Sequence, residues 1–196
     1  MNRSFAASFM AIAAAALTAC SDNASPRAML GELSPAEWAH AAGRFQSTNG
    51  EDRGVVVFTN GPTGTLIRVD LSGLTEGWHA IHLHQVGDCS DGAAGFKASA
   101  GHINPDGNEH GLLNPAGHER ADMPNIYAGP DGRATAEIYR SGVSLYASES
   151  AAANNGPHPL LDDDGFAVII HEGSDDHLTQ PIGGAGGRVA CAAIQS

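Results

Sequence analysis

Three histidines fall within the six residues His79-Ala-Ile-His-Leu-His84, and Cys89 closes the same stretch. A chain with ten histidines places three of them here, on side chains whose alternation reads as a β-strand. Imidazole is the commonest neutral metal ligand and suits copper and zinc. Side chains at i and i+2 of a strand share a face at roughly 6 to 7 Å, so His82 and His84 can converge on one ion. His79 has the opposite parity and faces elsewhere. Taken alone, a His-x-His pair favours a metal only modestly over two hydrogen-bonded rings.

More groups follow in order along the chain: His102-Ile-Asn-Pro105, His110-Gly111, Asp122, His171-Glu-Gly-Ser-Asp-Asp176 and Gly186-Gly-Arg-Val-Ala-Cys191. With the histidine strand, these residues and spacings resemble the Cu/Zn superoxide dismutase family over about Val55 to Ile194. That family is itself a reference case for β-sandwich architecture and for electrostatically steered, near-diffusion-limited catalysis. The resemblance implies that superoxide is the substrate and that copper redox cycling converts it to dioxygen and hydrogen peroxide. Copper would be held by His82, His84, His102 and His171. His102 would also bridge to zinc and donate a proton, and His110 and Asp122 would complete the zinc side. Asp175 matches the carboxylate that links a copper histidine to a zinc histidine, and His79 an inner supporting histidine. Arg188 matches the active-site arginine, and Cys89 with Cys191 the family disulfide.

One position departs from the pattern. The family usually has His-x-x-Asp for its last two zinc ligands, yet Glu119 stands three residues before Asp122, with His118 one place earlier. His118 is expected to reach zinc through a one-residue adjustment of the loop. Glu119 is its rival, since carboxylates also bind zinc, and a weak or empty zinc site is the third outcome. A function of another class also stays open: a copper-binding or copper-buffering envelope lipoprotein with this fold and little activity. Arg188 and Asp175, which storage would not need, speak against it. An envelope protein with vestigial ligands is weaker still, because all four copper ligands are present.

The elements that must position these residues read as all-β, an antiparallel Greek-key β-sandwich or flattened barrel. Strands are expected at Val55–Thr59, Thr65–Leu71, His79–His84, Ala134–Tyr139, Phe166–His171 and Val189–Ile194, with a hairpin turn at Asn49-Gly50. Ser34-Pro-Ala-Glu37 resembles a capping box, which suggests a short helix through about Ala42, although a first strand near Trp38 competes. His84 to Ala134 is rich in Gly, Pro and Asn with almost no strand character, and loops that long are usually functional. A second active-site loop is expected near Gly173 to Gly187. His40, His158 and His177 read as solvated or structural, and Asp162-Asp-Asp-Gly165 as a turn.

Outside this domain, taken as 39–196, Arg3 and the apolar stretch from Phe5 to Leu17 read as an export signal over 1–19, too short to span a membrane. Leu17-Thr-Ala-Cys20 resembles a bacterial lipobox, which would leave Cys20 lipidated at the head of a flexible tether over 20–38. An ordinary secretory signal is the alternative, and either would export the protein, with a lipid-anchored periplasmic location expected. Cys89 and Cys191 then remain as an even pair in an oxidising compartment, read as a disulfide rather than two buried thiols. The 196 residues suffice for one sizeable core. With 10 Lys and Arg against 22 Asp and Glu, the formal net charge of −12 leaves no footprint for nucleic acid. The sequence leaves open a monomer or a homodimer.

Overall fold

The computed structural model describes residues 40–147 and 156–195. The export signal, Cys20, the tether and the start of the expected helix lie outside them. Eleven strands follow in chain order: β1 His40–Ser47, β2 Asp52–Asn60, β3 Gly64–Leu71, β4 Gly77–His79, β5 Ile81–His84 and β6 Ile126–Ala128, then β7 Ala134–Ser141, β8 Val143–Ser144, β9 His158–Pro159, β10 Phe166–His171 and β11 Arg188–Ile194. Seven of them form one sheet in the order β5-β10-β11-β1-β2-β3-β7, with every neighbouring pair antiparallel. β4 pairs with β6, and β8 makes a short parallel pair with β9.

Only Ala80 separates β4 from β5, so β6 extends the row beyond the β5 edge. β6 then turns at Gly129, whose amide donates to Arg133 O at 2.9 Å, into β7 at the other end of the order. The two ends of the row are thereby joined as a flattened barrel. The chain passes from β3 near one end to β4 near the other, a crossing of the Greek-key kind.

The inward side chains fill the barrel: Phe58 on β2, Ile67 and Val69 on β3, Ile81 and Leu83 on β5, and Val168 and Ile170 on β10 are all buried. Phe58 and Phe166 meet edge to face with ring centroids 4.9 Å apart, a favoured aromatic arrangement. Ala167, Ile169 and Cys191 point the other way and pack under Cys89 and Phe96 of the loop after β5. Coverage of both faces explains why Phe166 to Ile170 is apolar without alternation. Cys89 and Cys191 form a disulfide with their Cα atoms 5.8 Å apart, as expected.

The Asn49-Gly50 turn joins β1 to β2, with Gly50 donating to Ser47 O and adopting a positive φ of 83°. Three local expectations are corrected. Residues 40–42, where a helix competed with a first strand, lie in β1 and pair with Val57 to Thr59. The single strand over His79–His84 divides at Ala80, because β4 pairs with β6 while β5 pairs with β10. The long loop contains the three-residue β6, defined by that distant pairing alone.

Candidate metal centre

β5 and the long loop position most of the candidate ligands through backbone pairing. The loop runs beside the free edge of β5, bridging His84 to His102 and His82 to Asp122. Leu83 donates its amide to Ala121 O at 3.2 Å and accepts one from Ile103 at 3.1 Å. His82 and His84 therefore stand on the outer face, as their spacing requires, with His102 and Asp122 brought alongside. His171 ends β10, where a register irregularity after Ile170 sets it opposite Arg188 at the start of β11.

The hydrogen bonds of each ring decide which nitrogen remains available. His84 Nδ1 donates to Ala100 O at 2.9 Å, and His171 Nδ1 donates to Gly186 O at 3.0 Å. His82 Nε2 donates to Asp175 Oδ2 at 2.9 Å. What remains is His82 Nδ1, His84 Nε2 and His171 Nε2, together with His102 Nε2, all buried and without a hydrogen-bond partner. Ligand atoms of His82, His102 and His171 lie within 4.8 Å of one another. His84 stands beside that trio, its ring centroid 5.0 Å from that of His102 and 6.4 Å from that of His171. An unsatisfied buried polar atom costs about 1 to 3 kcal/mol, so four neighbouring unsatisfied lone pairs fit a cation and little else. Neutral imidazoles are soft enough to take copper.

A second group shares His102. Ligand atoms of His102, His110, Glu119 and Asp122 lie within 4.8 Å of one another. His102 Nδ1 lies 2.5 Å from Glu119 Oε2, and His110 Nδ1 lies 2.7 Å from Asp122 Oδ1. His110 Nε2 donates to Asp175 Oδ1 at 3.1 Å, so Asp175 holds one ring from each group. Two imidazoles and two carboxylates make a donor set that fits zinc. His118 does not join this group, contrary to expectation. Its Nδ1 faces the Arg140 guanidinium at 2.9 Å, while Glu119 turns inward. Asp122 Oδ2 accepts the amide of Glu119 at 2.9 Å, which closes a turn at residue 119 beside the rings.

The charges follow from these contacts. Burial pushes His171 down to about 3, the neighbouring rings and Arg188 acting in the same direction. Burial likewise holds His84 well below the ordinary histidine value. His110 is the opposite case: burial opposes its charged form, yet Asp122, Asp175 and Glu119 overcome that and raise it to about 11. Burial would raise Asp175, but its bonds to His110 and His82 hold it far below the carboxylate range. A cation in the zinc-side group would take over the role the His110 proton plays.

Arg188 is half-buried beside the copper-side rings. Its guanidinium donates to Phe96 O at 2.7 Å, Ser99 Oγ at 3.0 Å and Ala100 O at 3.0 Å. Ala100 O also accepts from His84, so the loop anchored by Cys89–Cys191 orients a ligand and the arginine together. His79 stands apart, its Nδ1 against His171 O and its Nε2 against Thr75 O, both at 2.8 Å, which props the end of β10 from inside.

Comparison with known proteins decides the family. The family described as copper/zinc superoxide dismutase (SODC) matches residues 52–194. The chain belongs to the copper/zinc superoxide dismutase family. A relative named superoxide dismutase [Cu-Zn] from Caulobacter vibrioides is 47% identical over 75% of this chain and 80% of its own length. Superoxide dismutase [Cu-Zn] 2 of Aquifex aeolicus is 36% identical over 80% of this chain and 86% of its own. A SOD-like protein from Bacillus subtilis superposes with a TM-score of 0.70 at 30% identity, covering 80% of this chain and 98% of that one. β1 precedes the matched residues yet is central to the dismutase sheet.

Two contributors escaped the sequence reading. Asn125 brackets Asp175, accepting its amide and donating to its carbonyl, both at 2.8 Å. Nothing local to Asn125 signals that role. Arg140 could have been noticed, because on β7 it continues the inward positions Ala134, Ala136 and Ile138, where a cation is out of place.

Proposed function

We propose that the chain is an exported, lipid-anchored superoxide dismutase of the bacterial cell envelope. The carrying observation is that four buried, partnerless imidazole nitrogens from β5, the long loop and β10 converge beside a guanidinium. His82, His84, His102 and His171 would hold copper, and His102, His110, Glu119 and Asp122 would hold zinc. Copper, when bound, supplies the one-electron couple that oxidises one superoxide to dioxygen and reduces the next to hydrogen peroxide. Arg188 attracts the anion to the open side of the rings. Its charge survives because three oxygens satisfy the guanidinium, although burial lowers its pKa. His102 has a nitrogen facing each group, and its Nε2 can carry a proton toward departing peroxide when that nitrogen is free. Asp175 fixes the tautomers of His82 and His110 by accepting a proton-bearing nitrogen from each.

The assay is superoxide decay with the copper-loaded protein beside its Arg188→Gln variant. Fast decay that drops in the variant is expected; equal, slow decay from both would favour copper buffering. The anchor reading rests on Leu17-Thr-Ala-Cys20 behind the apolar leader. Several acyl chains on one cysteine give stable membrane attachment, where one would be marginal. Cys20→Ser is expected to shift the protein from the membrane fraction to the soluble periplasm, and an unchanged distribution would exclude lipidation there.

A further inference from the structure

We propose that Arg140 selects the fourth ligand of the zinc-side group, holding His118 out and turning Glu119 in. The inference rests on the reading of Glu119 as a ligand and assigns its cause to a residue outside both metal groups. Arg140 is only 6% exposed at an inward position of β7. Its Nε donates to Arg120 O at 3.1 Å, and one terminal nitrogen donates to Glu119 O at 2.8 Å and to His118 Nδ1 at 2.9 Å. The other donates to Ser141 O at 3.2 Å. One planar fork thus grips three consecutive residues of the metal loop. Arg120 is held a second time, through Asp106 at 2.6 Å and Gly142 O at 2.9 Å.

The chemistry of the fork makes the grip selective. His118 Nδ1 lies 2.9 Å from the Arg140 guanidinium and 2.9 Å from Glu119 O, so that nitrogen ties the ring to the Arg140 side of the turn. His118 accordingly stays outside the group of His102, His110, Glu119 and Asp122. With the carbonyls of residues 119 and 120 facing Arg140, and the Glu119 amide on Asp122, the Glu119 side chain is directed at His102 and His110. A buried guanidinium is costly unless its donors are satisfied, and no carboxylate bonds this one among the described residues. A Leu or Met would fill the same inward space at less cost. Nearly all the bonds that offset the expense go to the turn that chooses between His118 and Glu119. Arg140 is therefore a positioning residue for metal selection.

The test uses the full copper- and zinc-loaded protein and variants Glu119→Gln, His118→Ala, Arg140→Gln and the double Arg140→Gln/His118→Ala. Zinc and copper retained per chain are followed during chelator dialysis, and cobalt(II) placed in the zinc position reports its donors by visible absorption. Zinc affinity should fall roughly 10- to 100-fold in Arg140→Gln, the range for a ligand's lost support, and at least as far in Glu119→Gln, which removes a ligand charge, with copper retained in both. His118→Ala should change neither zinc retention nor the cobalt bands. Arg140→Gln should alter those bands in a way that His118→Ala changes again, because the released imidazole competes for the ion. Unaltered zinc and cobalt behaviour in Arg140→Gln overturns the proposal. So does loss of copper together with zinc, which would mark a general packing role. Zinc unaffected by Glu119→Gln would instead sink the ligand reading beneath it.

Discussion

Asp175 shows how much of this centre depends on single atoms outside the ligands. One carboxylate oxygen takes a proton-bearing nitrogen of His82 and the other takes one of His110. In Asp175→Asn, one oxygen becomes an NH2 group that can only donate, so one ring must move its proton to the nitrogen that should face a metal. Affinity for one of the two metals is then expected to drop roughly 10- to 100-fold, read by chelator competition. Gly183 guards the same carboxylate, since a Cβ there would lie 1.6 Å from Asp175 Oδ1. A residue away from the metals sets a pH dependence. Burial and Arg120 lower His158. Its folded form then binds fewer protons than the unfolded chain, and stability is lost as pH falls below about 6.5, the ordinary histidine value. Replacing His158 by Gln should flatten the fall of melting temperature between pH 7 and pH 5. At this scale spacing alone spoke for His82 and His84; His102, His110, Asp122 and His171 were named by the family resemblance, and the structure brings their rings and carboxylate beside that pair. His118 lies outside the zinc-side group, and its contact with Arg140, which is distant in sequence, could not be read locally.

The loop between β5 and β6 is held at its start by the Cys89–Cys191 bridge, across 102 residues of sequence. Replacing both cysteines by Ser removes that constraint from the unfolded chain, an expected loss of about 4 to 5 kcal/mol in the loop-entropy account. Denaturant melts under non-reducing conditions measure it. Because Phe96 O and Ala100 O on the same loop bind Arg188, dismutation should also weaken in the variant while it is still folded. Elements were legible where burial imposes a pattern. Ile67, Val69 and Leu71 alternate inward on β3, and β10 is apolar throughout because both of its faces are covered. β1 was legible only as one of two readings, since Ala41, Ala42 and Gly43 carry little strand preference, and pairing with β2 decides for the strand over the local helix signal. β6 escaped for the same reason: three residues become a strand only because β4 is brought beside them. The break at Ala80 leaves the alternation of side chains intact, so only the change of partner strand discloses it.

Across the whole molecule, a formal net charge of −12 confronts an anionic substrate. Distant surface carboxylates and the nearby Arg188 act oppositely on superoxide, and salt separates them by range. At physiological ionic strength the screening length is about 8 Å, so added salt weakens both the repulsion of the surface and the pull of a charge in the access path. If repulsion governed capture, the rate would rise with ionic strength. The half-buried Arg188 stands beside the copper-side rings, lowering His84 and His171 through its charge, and a positive charge focused there dominates the last part of the approach. The rate constant for superoxide decay is therefore expected to fall as salt is raised from low ionic strength. In Arg188→Gln the local attraction is gone and only the negative surface remains, so the rate should start roughly tenfold or more lower and then rise with salt. Copper content should be equal in the two proteins, because Arg188 bonds the loop and not the ring nitrogens left for metal. Stopped-flow traces across an ionic-strength series, with copper measured on the same samples, give the two slopes. Slopes of the same sign would show that Arg188 does not control the approach.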